Sequence, residues 1–204
     1  MNRLGLCLLL AASGCAVPET VFEATSRSPE FRGRRFTTVA FLSLSDDPAL
    51  RKTFGDSVVG FLRTWTARSE KGSDLLPLST YDADGDGHID LEVDKELVRK
   101  HISEAGFQAI LTAHYEPKEE GESPHAWSGE SFAGHWKGEI GKEHTGEAPS
   151  EFLIETELYD SLTGRVVWTG HSRTVRAANA VTLAQSYASA VVNELVRNGV
   201  VAKR

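Results

Sequence analysis

The chain has 204 residues, 40% of them hydrophobic, which suits one domain with appendages and a real core. The formal charge is −7, from 29 acidic against 22 basic residues, and no basic stripe occurs. That balance excludes nucleic acid as the expected partner.

The first fifteen residues, MNRLGLCLLLAASGC, carry a positive start at Arg3, an apolar run from Leu4 to Ala12 and small residues before Cys15. This pattern reads as a secretory signal, too short to span a bilayer as a helix. It resembles the lipobox of bacterial lipoproteins, although Leu is more typical at the place of Ala12. The resemblance implies cleavage after residue 14 and a lipid (palmitate among its acyl chains) on Cys15. The alternative is an ordinary secretory cleavage with an incidental Cys. Cys7 leaves with the signal, so the mature chain has one Cys and no internal disulfide. Several acyl chains on one residue exceed the two signals that stable anchoring needs. Ala16, rather than Asp, follows the Cys. In enteric-type bacteria that choice implies the outer membrane, periplasmic face. Residues 15–35 are polar with little periodicity and are expected to be the lipidated Cys and a flexible tether.

A folded domain is expected over 36–200. FTTVAFLSLS (36–45) is a buried strand by its β-branched, apolar content. A helix follows over 46–69, with Asp47 as cap, Pro48 at its first position, and Leu50, Phe54, Val58, Phe61, Leu62 and Trp65 inward. Gly60 is expected to allow a close helix–sheet approach. DLLPLST (74–80) reads as a short strand, 90–106 as a helix with Val98, Ile102 and Ala105 inward, and 107–115 as a strand. Residues 116–149 hold six glycines and mixed charge and read as a long loop. Two alternating strands, 150–160 and 165–175, form a hairpin. Phe152, Ile154, Thr156 and Leu158 share one face of the first, and Val166 and Trp168 one face of the second. A final helix over 179–199 carries the apolar stripe Ala184, Tyr187, Ala188, Val191, Val192 and Leu195. The expected fold is α/β (α+β): one domain, a mixed sheet flanked by helices, in the order β-α-β-α-β, long loop, β-β-α.

The segment ETELYDSLTGRVVWTGHSRTV ends a strand in Leu-Tyr-Asp, turns through Thr-Gly and returns through Val-Trp-x-Gly before the last helix. It resembles small bacterial envelope lipoproteins, mostly uncharacterised, whose domain is similar to the penicillin-binding-protein activator LpoB and the N-terminal domain of TolB. The likeness covers roughly 36–200 in architecture, but only 156–175 in motif-like detail. It implies a periplasmic interaction module without catalysis, with another envelope protein as partner, and it supplies no catalytic residues.

One segment looks like a ligand site. In YDADGDGHIDLEVD, Asp82, Asp84 and Asp86 fall at positions 1, 3 and 5 of a twelve-residue calcium loop. Gly87 then falls at 6, His88 (backbone carbonyl) at 7 and Asp90 at 9. Alternate carboxylates on a tight loop converge on a hard cation. Position 12 should be a bidentate Glu and is Val93, so binding is expected on the order of 10⁻⁴ to 10⁻³ M. The competing reading is a solvated turn with Asp90 as a helix cap. No other cofactor is indicated.

His114, His125, His135 and His144 recur every nine to eleven residues, too widely for a typical zinc site. The reading favoured for them is solvated loop residues, with a metal role as the alternative. Trp127, Phe132 and Trp136 are either partner anchors or pins of the loop to its own domain. No nucleophile elbow, phosphate loop or zinc-protease motif occurs, and His171 and Ser172 point to opposite strand faces. The function expected is therefore a non-catalytic, lipid-anchored envelope module, with a calcium-binding protein as the alternative. A hydrolase using the long loop as a lid is a further alternative.

Overall fold

The structure, a computed structural model, describes residues 17–45, 47–77, 80, 95–117 and 151–202. Six strands form one sheet: β1 (Glu19–Arg27), β2 (Thr38–Leu44), β3 (Arg68–Lys71), β4 (Ala109–Pro117), β5 (Glu151–Asp160) and β6 (Val166–Val175). Their order is β1-β6-β5-β4-β2-β3. β2 runs parallel to both β3 and β4, and the remaining pairs are antiparallel. The helices are α1 (Pro48–Leu62), α2 (Gly72–Leu75, a single turn), α3 (Lys95–Glu104) and α4 (Ala180–Arg197). The domain is α+β with a mixed sheet, as the sequence predicts.

The sheet buries two apolar layers. On one face, Val39, Phe41, Ala109, Leu111, Ile154, Leu158 and Trp168 meet α1 through Phe54, Val58 and Leu62. The predicted stripe of α4 is buried there from Ala184 to Leu195. On the other face Ala40, Leu42, Ile110 and Tyr159 meet Val98 and Ile102 of α3. Asp47 caps α1 as predicted, its Oδ1 accepting from the amides of Ala49 (2.8 Å) and Leu50 (3.2 Å). Asn179 and Thr182 form a reciprocal capping box at the start of α4.

The structure corrects several expectations. The tether does not extend over 15–35, because Glu19–Arg27 pairs with β6 along its whole length. Such an edge strand lacks an apolar pattern because little of it is buried; Phe22, against Trp168 at 5.9 Å, is its main inward contact. The following chain is held by Arg27, whose guanidinium donates to the carbonyls of Asn198, Phe31 and Arg34. The predicted strand at 74–80 is not formed. β3 lies earlier, in the polar RSEK, and 72–75 is the helical turn α2. α1 stops at Leu62 instead of running to 69. The hydroxyl of Thr66 bonds the Leu62 carbonyl and Ser69 (2.8 and 2.7 Å), turning the chain back into β3. Phe61 is consequently 39% exposed, and Val59 is buried instead. Gly60 has open space where a Cβ would stand, so it serves no close approach. Val166 and Trp168 do not share a face. A bulge pairs Leu158 with Trp168 but Tyr159 with Val166, which puts Val166 in the layer under α3 and Val167 with Trp168 in the other.

The Tyr-Asp, Thr-Gly, Trp-x-Gly motif of the hairpin has a physical basis. Buried Asp160 accepts from the amide and hydroxyl of Thr163, both at 2.8 Å, and Gly164 follows at φ +69. Its other oxygen meets Arg34 at 2.6 Å, and that guanidinium lies over the ring of Phe36. Gly170 leaves room for two aromatics: a Cβ there would stand 2.4 Å from the Trp168 ring and 2.7 Å from that of Phe22. The Gly170→Ala variant is therefore expected to lose about 1–3 kcal/mol of stability from overpacking, read by denaturant unfolding. An unchanged midpoint would show that the indole can shift.

Candidate functional site

The carboxyl ends of parallel strands are where α/β sheets form crevices, since the chain leaves neighbouring strands in different directions there. β2 leaves toward α1 and β3. Between these elements lies a cleft of about 320 Å³, at the small end for a ligand pocket. Its floor is Leu42, Leu44 and Leu76, and its rim carries Arg51, Lys52, Lys71 and Asp74. The lining is mostly apolar with a few charged groups.

Two glycines bring the walls together. A Cβ on Gly72 would stand 2.1 Å from a methyl of Leu42, and one on Gly55 would stand 2.8 Å from the Lys71 stem. Neither adopts the left-handed conformation, so close approach alone requires a residue without a side chain.

The charges are interlocked. Asp56 receives Lys52 Nζ at 2.7 Å and Lys71 Nζ at 2.9 Å, and Lys71 also reaches Asp74 at 3.4 Å. The hydrogen bond from Lys52, then that from Lys71, holds the Asp56 carboxyl below its ordinary value of 3.8. The bond to Asp56 raises the Lys71 ammonium above its own. Arg51 donates to the Ser45 carbonyl at 2.8 Å, tying the first turn of α1 to the end of β2.

A second group of polar side chains is buried in the sheet. Thr112 and Glu157 are cross-strand neighbours, as are His114 and Glu155. The hydroxyl of Tyr159 donates to Glu157 on its own strand. Burial pushes Tyr159 well above the usual phenol range, with Glu157 adding to it. On the opposite face Tyr187 shares a 2.7 Å hydrogen bond with Thr156, and its ring stands near Phe54 and Tyr115. His171 is exposed while Ser172 is buried, as strand alternation predicts. Among the described residues no group of three His, Cys, Asp or Glu is placed to hold a metal.

Cys15, the loop residues Asp82, Asp84, Asp86, His88 and Asp90, and the aromatics Trp127, Phe132 and Trp136 lie outside the described residues. So do His125, His135 and His144. The cleft was not predicted. Its one readable trace was the i,i+4 spacing of Lys52 and Asp56 on a helix; Lys71 and Gly72 belong to an edge strand and turn without a pattern of their own.

No family model and no curated protein matches the chain. Among solved structures it is similar to the PelC dodecamer from Paraburkholderia phytofirmans, at 13% identity and a TM-score of 0.47, over 90% of this chain and 98% of that one. A point variant of that dodecamer is similar at 11% identity and a TM-score of 0.44, over 92% and 99%. The resemblance to LpoB and TolB rests on the motif of 156–175 and the order of elements over 36–200, and none of these matches bears on it.

The charge lock makes a pH prediction. Because the folded carboxyl of Asp56 titrates below 3.8, its contribution is present above that pH and is lost as pH falls through the folded value. Wild type should exceed Asp56→Asn in stability at neutral pH by under about 1 kcal/mol, as for exposed pairs, with the gap closing on acidification. A gap that widens in acid would contradict the assignment.

Proposed function

We propose that the chain is a lipid-anchored protein of the bacterial envelope, acylated at Cys15, whose domain binds another envelope component without catalysing a reaction. The observation that carries this reading is the leader MNRLGLCLLLAASG ending at Cys15, followed after a few residues by the first strand of the domain. No helix among the described residues is long and apolar enough to cross a membrane, and a lipid on Cys15 supplies the attachment. Replacing Cys15 by Ser should abolish incorporation of labelled palmitate and release the protein from the membrane pellet of its native host. Continued labelling and pelleting would overturn the anchor.

A separate proposal rests on the sequence of the acidic segment. Asp82, Asp84, Asp86 and Asp90, with the His88 carbonyl, hold calcium weakly, and Val93 withholds the bidentate ligand. Calorimetry on 16–204 should give saturable heat in the millimolar range that disappears when Asp84 and Asp86 are both changed to Ala. No heat in that range would make the segment a turn and cap.

A further inference from the structure

The strand directions give the domain two unlike ends. β2, β3 and β4 finish at the cleft end. They begin at the far end, where Thr38 pairs with Arg68, Val39 with Ala109, and Ala109 with Asp160. Five segments meet there, 28–37, 63–67, 105–108, 161–165 and 198–202, all within the described residues. They hold five arginines (Arg32, Arg34, Arg35, Arg63 and Arg165), no lysine and one carboxylate, Glu30, in a chain whose formal charge is −7.

Two of these arginines are neutralised. Arg34 meets Asp160 at 2.6 Å, and Arg165 meets Glu30 at 2.7 Å. Arg63 donates to the Ser69 carbonyl at 3.0 Å. Arg27, which ends β1 beside them, donates to the carbonyls of Asn198, Phe31 and Arg34. Arg32 and Arg35 are exposed and make no hydrogen bond or ion pair with any described residue. Among the described residues, Arg27, Arg32, Arg35 and Arg63 therefore have no carboxylate partner. A guanidinium stays charged at any physiological pH, and its fork fits a carboxylate through two hydrogen bonds.

The charges follow a line. Residues 28–37 lead from β1 to β2, four strand spacings or about 19 Å apart. An extended peptide of about six residues spans that distance. On the way the segment touches the β5–β6 turn through Glu30 and Arg34. Leu162 stands in that turn, 70% exposed. The turn is held from below by Arg99, which donates to the Ser161 and Leu162 carbonyls at 2.9 and 2.7 Å.

We propose that the far end is a docking surface for an acidic, extended segment of a protein partner. Its carboxylates meet Arg32 and Arg35, and an apolar side chain of the segment packs on Leu162. The proposal rests on the reading of the domain as a binding module and does not need the lipid on Cys15. Two features favour a protein segment over a polyphosphate chain. Every cation in these five segments is an arginine, the type enriched at protein interfaces, where lysine is depleted. An exposed leucine also stands beside the charges, and a phosphate chain offers it nothing apolar.

The test uses full-length protein in detergent and a fluorescein-labelled peptide of glutamates with one central leucine, read by anisotropy at low ionic strength. Wild type is expected to bind, with an affinity that falls as salt rises. Changing Arg32 and Arg35 together to Ala is expected to weaken binding about tenfold, as loss of two exposed ion pairs allows. The unfolding midpoint should stay unchanged, because neither side chain has a partner to lose. Equal affinity of wild type and the double variant would overturn this face and leave a binding module elsewhere on the domain. No binding of the peptide to wild type, or tighter binding of polyphosphate, would overturn an acidic protein segment as the occupant. None of these outcomes bears on acylation, since residue 15 is untouched.

Discussion

β2 runs parallel to the strands on both its sides, and the rest of the architecture depends on that pairing. Parallel neighbours cannot be joined by a tight turn, so each needs a crossover. The chain moves outward from β2 to β3 and then back past β2 to β4. Right-handed crossovers in opposite directions put their helices on opposite faces. α1 therefore covers one face beside α4, and α3 covers the other. The same rule gathers the carboxyl ends of β2, β3 and β4 at one end of the sheet, where the cleft forms.

The antiparallel half stabilises this arrangement. β5 and β6 bring Leu158 and Trp168 into the main layer, and Tyr187 of α4 reaches down to Thr156. The far end is closed by Asp160, which orders the β5–β6 turn and receives Arg34. The buried carboxylate is held by Thr163 on one oxygen and by the half-exposed Arg34 on the other, so removing either partner is expected to destabilise this turn. The motif Tyr-Asp, Thr-Gly, Trp-x-Gly is thus a folding device: a turn that satisfies its own polar groups and a glycine that seats an indole.

Legibility in the sequence tracked burial. The stripe of α4, the cap at Asp47, the interior of β2 and the hairpin were all visible, because burial imposes periods of 3.6 or 2 on apolar residues. β1 and β3 were not, because edge strands expose most of their side chains and carry polar sequences such as RSEK. The bulge at Val167 escaped for a related reason: one added residue reverses the facing of the rest of the strand without changing composition. The cleft is a property of elements distant in the chain, and its glycines gain meaning only from Leu42 and Lys71 beside them. Of the residues whose types suggested ligands or partners, His114 is buried in β4, and the others lie outside the described residues.

A short connection between Cys15 and β1 changes what an anchored module can do. A long tether lets a domain search for partners far from its membrane; here the sheet begins a few residues from the expected lipid. The membrane setting of this reading depends on the state of Cys15. The most direct measurement is mass spectrometry of the N-terminal peptide of protein extracted from membranes of its native host. The predicted result is a peptide beginning at acylated Cys15. A peptide that retains the leader, or that begins elsewhere without a lipid, would contradict it.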